Sequence, residues 1–460
     1  MGRRSVPFAI TAVLALALAA CGGGSGKGAG ANTGANTTST PTTAHVESKV
    51  LGTGVTATTI KIGVSLVDFS CVEQYVNSIR QNQQQVFQAY IDNINASGGI
   101  NGRKIVPVFK SYCPLSSASD IDVQICTSFA DDDKVFAVIG YLSDAASDGS
   151  VETCLAKRHH TIVMSYGLNQ AIMDLSPPGM ILYPGTTPER SDRALFELLK
   201  RQGTLAGKTV AVLAESTSKA EVQQIILPGL KGLNVPMGTT AYLTLSSADT
   251  TAAQAQLDSF IERWKAEHVD ALYIAGEGVA SQQFMEKIAN GMPGVTLMTD
   301  VGDTLSFAKQ EQQAGVRPNP YTGMLIAGGY TPHDYDRSAN WAYCASVYEK
   351  YTHKVAPNAE TVVPGPDGKT LDINGSINDA CQTLSLFHDV ATRVGPYLNN
   401  ANWVHTVNEY GPVTNRGGGP YASLHTGKYD FDDTFQLQSF DPTIPPSGNW
   451  KPLTPYENIG

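Results

Sequence analysis

The sequence predicts an α/β protein of two lobes, each a doubly wound parallel sheet covered by helices. First, short β-rich apolar runs alternate with longer helical stretches in two successive series. Second, a Pro/Gly-rich passage at 177–188 separates the two series. Third, once an N-terminal leader and tether are set aside, roughly 410 residues remain, and this length favours two domains over one. Sheets built by such alternation are parallel and have helices on both faces.

The first series predicts lobe 1, to which we assign residues 58–187. Its β-rich runs predict strands at 60–66, 105–109, 135–140 and 162–165. Mixed polar and apolar stretches predict helices at 72–97, 120–131 and 150–159.

The second series predicts the first part of lobe 2, at 188–322. Its predicted strands lie at 209–214, 242–245, 271–275 and 295–298. Its predicted helices lie at 191–201, 219–230, 252–268 and 281–290.

The remaining segments follow two complete series, so we expect them to return and complete both lobes. They comprise a predicted strand at 324–327, helices at 335–351 and 378–394, and strand and turn material at 427–438. We assign 323–435 to a second part of lobe 1 and 436–460 to the C-terminal part of lobe 2.

The N-terminus has the pattern of an export signal. Arg3 and Arg4 precede an apolar run at 8–20, which is too short to span a bilayer core of ~30 Å. The small residues before Cys21 resemble a bacterial lipobox, which implies cleavage of residues 1–20 and lipidation of Cys21. The alternative is an ordinary signal peptide in which Cys21 is incidental. Residues 21–57 begin with a Gly/Ser/Ala/Asn/Thr-rich stretch, as expected of a flexible tether.

Charge and hydropathy restrict the classes of molecule that the protein can bind. The 32 Lys and Arg residues are outnumbered by 42 Asp and Glu, for a net charge of −10. This balance argues against nucleic-acid binding, which needs a basic face. No other apolar run approaches the length of a membrane span. We therefore expect membrane contact only through the lipid anchor. We also expect a monomer.

Apart from Cys21 the chain has an even number of cysteines, namely Cys71, Cys113, Cys126, Cys154, Cys344 and Cys381. In an exported protein this pattern predicts disulfides. The cysteines form no C-x-x-C pair and have no histidine at metal-ligand spacing, so we expect no metal site.

Three blocks of sequence resemble the extracytoplasmic solute receptors of ABC importers, of the branched-chain amino acid (Leu/Ile/Val) type. They lie at 60–64, 94–105 and 138–140, and the tail at 427–431 and 450–453 is also similar. The most specific block, INASGGINGRKI, carries the Gly98–Gly99 pair, which allows a sharp reversal between helix and strand. The resemblance implies the type I periplasmic-binding-protein fold, in which three crossings join the lobes. It also implies an extracytoplasmic receptor that serves an ABC permease and has no cofactor and no catalytic residues.

In such sheets a ligand lies at the carboxyl ends of the strands. Hydroxyls and free backbone N–H groups in the lobe 1 loops suit a carboxylate, and acidic side chains in lobe 2 suit an ammonium group. The predicted ligand-binding residues are Phe69, Ser143, Ala145, Ser165 and Tyr166 in lobe 1, and Lys219, Glu277 and Asp300 in lobe 2.

Some of these residues also have purely structural interpretations. Ser143 is equally suited to cap a helix, and Asp303, a further acidic candidate, to form a turn. Where the family often has an aromatic after the first lobe 2 strand, this chain has Ser218 and Lys219. The resemblance therefore implies an amino acid or related polar solute and leaves its identity open.

The implied sheet order 2-1-3-4 narrows the disulfide pairing. It brings Cys71 near Cys113, since the loops after strands one and two are neighbours. The second and third helices lie on one face, which brings Cys126 near Cys154, and Cys344 and Cys381 then remain on successive late helices. A local Cys113–Cys126 bond, which would leave Cys71 for Cys154, is the alternative.

Two functions compete with solute delivery: a sensory module of the same fold, and an exported α/β enzyme, since fold alone does not decide function. The Gly276-Glu277-Gly278 sequence imitates a dinucleotide fingerprint but lacks the third glycine. The sequence contains no G-x-S-x-G or H-E-x-x-H motif and no coherent nucleophile–base pair, so a binding protein is the leading hypothesis.

Overall fold

A computed structural model describes residues 47–71, 73, 78–114, 116–142, 149–245, 251–302, 304–359, 361, 363–366, 369–414 and 420–459. The expected signal segment, Cys21 and most of the tether lie outside these residues. Among the helices that the structure describes, none has the length and apolar character to cross a membrane.

Seventeen strands run through the described chain. They are β1 (Thr59–Val67), β2 (Ser78–Ile79), β3 (Lys104–Tyr112), β4 (Ala137–Tyr141), β5 (Ile162–Tyr166), β6 (Ile181–Leu182), β7 (Val210–Glu215), β8 (Met237–Leu243), β9 (Ala271–Ala275), β10 (Thr296–Thr299), β11 (Leu325–Gly328), β12 (Thr370–Leu371), β13 (Gly411–Val413), β14 (Ala422–Leu424), β15 (Thr434–Asp441), β16 (Asn449–Pro452) and β17 (Glu457–Asn458).

The described α-helices are α1 (Gln83–Ala96), α2 (Ala118–Ile121), α3 (Ser150–Thr153), α4 (Gln170–Asp174), α5 (Pro188–Gln202), α6 (Lys219–Glu221), α7 (Leu227–Gly232), α8 (Thr251–Ala266), α9 (Gln282–Gly291), α10 (Thr304–Ala314), α11 (Pro332–Asp336), α12 (Ala339–Thr352), α13 (Ile373–Val394) and α14 (Asn400–Asn408). Wider π-type turns continue three of the helical stretches at Asp122–Asp132, Cys154–Arg158 and Val222–Ile226, and single 3₁₀ turns lie at Phe69–Cys71 and Ser216–Ser218.

Lobe 1 is built on a parallel sheet in the order β3-β1-β4-β5-β6. Its first four strands have the predicted order. The central strand β1 is buried from Ile62 to Val67, because helices cover both faces. The long helices α12 and α13 return to this lobe, and their apolar side chains join the same core as β1 and β4.

Lobe 2 is built on a larger sheet in the order β16-β15-β11-β10-β9-β7-β8. Strands β7 to β11 pair in parallel, whereas the C-terminal strand β15 returns antiparallel to β11. The two faces of this sheet carry separate apolar cores. The architecture is therefore the predicted pair of α/β lobes, with an antiparallel edge on lobe 2.

Two boundaries differ from the sequence-based assignment. Strand β11 pairs with β10 and β15, so residues up to Gly328 belong to lobe 2 and the chain crosses back after them, not at 322–323. Strand β15 begins at Thr434, so the last crossing also lies slightly before the assigned 435–436 boundary. An isolated strand such as β11 carries no sequence signal for which sheet it joins, since sheet pairing is a long-range property.

The predicted helix at 72–97 is wrong at 78–82, and residues 72 and 74–77 lie outside the described residues. The described helix begins only at Gln83, after Asn82 in the left-handed conformation (φ 58°). Ser78 and Ile79 instead form β2, which pairs in parallel with β12. The short helices α4, α10 and α14 were not predicted.

All six cysteines form disulfides, in the first of the two schemes. The bonds join Cys71 to Cys113, Cys126 to Cys154 and Cys344 to Cys381, with Cα–Cα distances of 6.0, 6.1 and 5.7 Å. The first bond joins the loops that follow β1 and β3, which are neighbours in the sheet.

The first and last crossings between the lobes run side by side. The backbone N–H of Tyr183 donates to the carbonyl of Tyr429 over 2.9 Å, and the N–H of Phe431 donates to the carbonyl of Gly185 over 2.7 Å. A third segment connects β11 to α11. The lobes are thus joined at three places, and two of these are tied to each other by backbone hydrogen bonds.

Candidate functional site

A cavity of about 550 Å³ lies between the lobes, at the carboxyl ends of the lobe 2 strands. Lobe 1 contributes Gly167 and Leu168, which follow β5, and Tyr183 at the first crossing. The remaining described lining residues are Thr186, Pro188, Ser191, Ser218, Glu221, Gly276, Glu277, Asp300, Val301, Gly302, Ile326, Ala327, Gly329, Asp432, Phe435 and Trp450. The volume is within the range typical of small-molecule sites.

The charge of this lining is one-sided. Glu221, Glu277, Asp300 and Asp432 lie in the wall, and none of the described lining residues is Lys, Arg or His. Asp432 accepts a hydrogen bond of 2.9 Å from the Thr186 hydroxyl, which links the first and last crossings at the cavity. An acidic wall of this kind attracts cations and repels free anions.

Two of these acidic side chains meet a third, Asp192, which is not itself a lining residue. Asp192, Glu221 and Asp300, here called the acidic triad, each place one carboxylate oxygen within 4.8 Å of the others. The phenol of Tyr273 donates to Asp192, and its oxygen lies 3.3 Å from Asp300 Oδ1. A single phenol proton serves only one acceptor at a time, so the triad has more acceptor atoms than nearby donors.

Local structure explains how the triad is assembled. Asp192 lies on the buried face of α5, in line with Leu195, Phe196 and Leu199, so the helix carries it inward. Asp300 directly follows strand β10, and Glu221 lies in the short helix after β7. The strands that precede Glu221 and Asp300, β7 and β10, are separated in the sheet only by β9.

Burial and mutual repulsion raise the pKa values of the triad. Desolvation is the main cause in each case, because a carboxylate loses its hydration in the interior. Burial, and then the charges of Asp300 and Glu189, raise the pKa of Glu221 to about 8. Burial raises the pKa of Asp300 to about 6, although hydrogen bonds partly oppose the rise. Burial, followed by the charges of Asp300 and Glu221, raises the pKa of Asp192 well above its usual value.

The Gly276-Glu277-Gly278 loop has a structural reason for its glycines. The carboxylate of Glu215, at the end of β7, accepts a hydrogen bond from the backbone N–H of Gly278. Gly276 has φ +105°, and a Cβ there would lie 2.8 Å from the Glu215 side chain. The loop therefore packs closely on Glu215 and presents Glu277 to the cavity, as expected for a cleft loop.

The structure brings two of the eight predicted ligand-binding residues, Glu277 and Asp300, to the cavity. Lys219 is exposed next to the lining residue Ser218, and its ammonium lies 5.9 Å from the centre of the Tyr242 ring. Ser143 and Ala145 lie outside the described residues.

The other three predicted residues lie in lobe 1 and are not among the described lining residues. Phe69 is half-buried and packs against the lobe 1 core. Ser165 is buried, and its hydroxyl donates to the carbonyl of Tyr166 over 3.2 Å. The Tyr166 hydroxyl donates to the carbonyl of Asp379 over 2.7 Å, so its phenol is held within the lobe.

Sequence reasoning missed Asp192, Glu221, Tyr183, Thr186 and Asp432. A signal for Asp192 was present, because its carboxylate occupies a position of the apolar stripe of α5 (Asp192, Leu195, Phe196, Leu199). The others depend on how the crossings and loops meet in three dimensions.

A buried network of charges ties the last crossing to lobe 2 beside the cavity. Arg190 forms an ion pair with Asp430, whose side chain is 2% exposed. Asp430 also accepts hydrogen bonds from the backbone N–H of Thr187 (3.0 Å) and from its hydroxyl (3.1 Å). The ammonium of Lys428 donates to three backbone carbonyls and pairs with Asp433 at 3.1 Å. This network fixes the point where the chain leaves one lobe for the other.

Comparison with known proteins assigns the fold to a family. Residues 59–362 match the family described as periplasmic binding protein, which spans well over half of the chain. The chain belongs to the periplasmic binding protein family. This periplasmic binding protein has no match among curated proteins.

Solved structures support the same fold at low identity. A leucine-, isoleucine-, valine-, threonine- and alanine-binding protein from Brucella ovis is 13% identical, with a TM-score of 0.61, and the match covers 87% of this chain and 96% of that one. A solute-binding protein from R. palustris in complex with 4-hydroxybenzoate is 14% identical, with a TM-score of 0.61, and the match covers 87% of this chain and 97% of that one. An ABC transporter substrate-binding protein from Desulfitobacterium hafniense in complex with Leu is 13% identical, with a TM-score of 0.59, and the match covers 85% of this chain and 99% of that one. The lobed architecture with an interlobe cavity is therefore the type I periplasmic binding protein fold.

Proposed function

We propose that this protein is the solute receptor of an ABC importer. It captures a small polar solute, an amino acid or related compound, between its lobes and delivers it to a permease in the membrane. The observation that carries the proposal is the cavity of about 550 Å³ between two lobes joined at three places, in a chain of the periplasmic binding protein family. The structural neighbours named above are binding proteins for amino acids and an aromatic acid.

The proposal includes the membrane attachment and the absence of turnover. The lipobox-like sequence before Cys21 supports an extracytoplasmic protein held by a lipid, as the sequence predicts. Binding proteins release their ligand unchanged, so mass spectrometry of a bound compound after long incubation should recover it intact. A steadily accumulating product would favour the exported-enzyme alternative.

A thermal-shift screen over amino acids, amides, amines and organic acids tests the binding role. A ligand that binds only the folded state raises the free energy of unfolding by ~2.7 kcal/mol at a hundred times its dissociation constant. Ligands should raise the melting temperature in a concentration-dependent manner. Absence of any stabilising compound across these classes would contradict the proposed function.

Substitution of one predicted ligand-binding residue from each lobe tests the predicted site. Removing a hydrogen bond to a charged group costs ~1.5–3 kcal/mol, or roughly ten- to a hundred-fold in affinity. Ser143→Ala and Asp300→Ala should therefore each weaken binding of the compound found in the screen. Less than threefold weakening by both substitutions would show that the predicted contacts are wrong.

A further inference from the structure

The acidic triad lacks the donors that its buried carboxylates need. Asp192 is 0% exposed, and its Oδ2 has no hydrogen-bond partner, while its other oxygen accepts the Tyr273 phenol proton. An ionised carboxylate buried in this way is costly unless it meets a cation. The triad therefore has an unoccupied place for a positively charged donor.

Among the residues that the structure describes, the groups packed around the triad do not provide that cation. The charges that act on it come from Glu189, Asp300 and Glu221, all of which are acidic. Two arginines of the same helix lie close in sequence: Arg190 is committed to Asp430, a different carboxylate, and Arg193 is exposed and lines a separate cavity. Glu189 is itself nearly buried and accepts the backbone N–H of Gln170 over 3.1 Å.

The triad also opens to the cavity. Glu221 and Asp300 are half-buried and belong to the lining, so a molecule in the cavity reaches the triad directly. Separations of up to 4.8 Å between the three oxygens fit one nitrogen cation that donates to all three at ordinary hydrogen-bond lengths of about 2.8 Å.

We propose that the solute is an organic cation, an aliphatic amine or amidine of net positive charge, whose nitrogen lies among Asp192, Glu221 and Asp300. This inference rests on the proposed receptor function and names its ligand class. Glu277 and Asp432 extend the acidic wall and favour a second positive group, as in a diamine or a cationic amino acid. Free carboxylic acids are disfavoured by the same wall.

Matched compounds test the ligand class by isothermal calorimetry at neutral pH. One set is L-leucine, 3-methylbutylamine and isovalerate, which share an isobutyl group and differ in charge. The other is L-lysine, 1,5-diaminopentane and 4-hydroxybenzoate. We expect L-lysine or 1,5-diaminopentane to bind, and the two acids isovalerate and 4-hydroxybenzoate to bind at least tenfold more weakly.

Charge-neutralising substitutions test the location. Asp192→Asn and Glu221→Gln should each weaken the bound amine at least tenfold. Glu221 is half-exposed, so its variant should fold even where the buried Asp192 does not tolerate change, and circular dichroism verifies this. The control Glu262→Gln removes an exposed charge that pairs with Lys265 and should leave affinity unchanged.

The outcomes separate this inference from the receptor function. If leucine or 4-hydroxybenzoate binds tightest, and Glu221→Gln does not weaken it, the receptor function stands and the cationic class is wrong. If Ca²⁺ or Mg²⁺ alone binds at the triad while both amines fail, the site is a metal site and the inference is overturned. If no compound binds to the folded protein, both proposals fail.

Discussion

At the scale of single residues, Asp430 is an acidic group near the cavity whose two oxygens both have partners within the protein. One oxygen of its carboxylate pairs with Arg190, and the other accepts hydrogen bonds from the backbone N–H and the hydroxyl of Thr187. In Asp192, by contrast, one oxygen has no hydrogen-bond partner. The two buried carboxylates thus differ in kind. Asp430 is satisfied within the protein and stabilises the crossing, whereas Asp192 belongs to a triad whose other two members line the cavity.

Asp430→Asn should destabilise the protein. The substitution leaves Arg190, which is largely buried, without its main counter-charge, and breaking a buried ion pair costs ~3–5 kcal/mol. Because asparagine still accepts hydrogen bonds from Thr187, we expect the lower end of this range in urea unfolding. The exposed-pair control Glu262→Gln should change the free energy of unfolding by less than about 1 kcal/mol. Equal effects of the two substitutions would contradict this assignment.

At the scale of elements, helix α5 and strands β7, β9 and β10 create the acidic triad by packing. Each carboxylate is unremarkable in its own segment. The repulsion arises only where the elements meet, and burial by neighbouring elements adds the larger share of the pKa rise.

The ligand-free protein should lose stability as the pH rises because of Glu221. Its pKa rises from 4.5 to about 8 on folding, so between these values the folded state binds more protons than the unfolded state. The free energy of unfolding therefore falls as the pH increases through this window. Groups facing Glu221 are Glu189, Asp300, Asp192 and the Tyr273 phenol, and none of these supplies a positive charge.

Urea unfolding at several pH values between about 5 and 8 measures this effect. Glu221→Gln should show a shallower decline than the unaltered protein, because glutamine does not titrate. The decline in Glu262→Gln should match that of the unaltered protein. Identical slopes for all three proteins would show that Glu221 does not titrate in this window.

The Cys344–Cys381 disulfide links α12 to α13, which cover lobe 1. It closes a loop with a sequence separation of 37 residues, for which the chain-entropy relation gives about 4 kcal/mol. The double substitution Cys344→Ser and Cys381→Ser should lower the free energy of unfolding by roughly this amount. Free thiols at both positions in the unreduced protein, detected by mass spectrometry, would show that the bond does not form.

At the scale of the whole molecule, both lobes contribute residues to the wall of the cavity, and three crossings join the lobes. A ligand shifts the balance between open and closed arrangements only by its differential affinity for them. A solute held between the lobes should therefore favour the closed arrangement. The backbone pairing of the first and last crossings makes their shared segment the expected axis of that movement.

Small-angle scattering should show a smaller radius of gyration when the solute identified by screening is added. The change should saturate at the concentration at which calorimetry shows the site to be full. The weak-binding variant Asp300→Ala should require more ligand for the same compaction. Tight binding with an unchanged radius would place the solute outside the cleft or exclude closure.

The proposed membrane attachment is also tested on the whole chain. Cys21→Ala should abolish lipidation, so the protein is either released or retained with its signal uncleaved. Fractionation and N-terminal sequencing distinguish these states. Normal retention of a cleaved Cys21→Ala protein would show that the lipobox interpretation is wrong.

The sequence alone determined the class of fold and the order of its main elements. Alternating periodicity over segments such as 209–214 and 271–275 is a local property, so it can be seen in the chain itself. The requirement for glycine in the INASGGINGRKI block is also local in sequence. A Cβ at Gly99, which has φ +72°, would lie 2.1 Å from the carbonyl oxygen of Arg103, only four residues later. The Cys71–Cys113 bond followed from the sheet order, since loops after adjacent strands are neighbours, whereas the structure was needed to exclude the alternative Cys113–Cys126 pairing.

Only the tertiary structure decided what those loops build. Strand β11 joins lobe 2 through pairing with β15, more than a hundred residues later, and local sequence does not encode such pairing. Glu277 and Asp300 could be proposed because each directly follows a predicted strand. Asp192 left only an indirect signal, a carboxylate on the apolar stripe of α5, and its part in the triad depends on the side chains that surround it after packing. Burial, which raises the pKa values of the triad and makes it a site for a cation, exists only after the elements have packed.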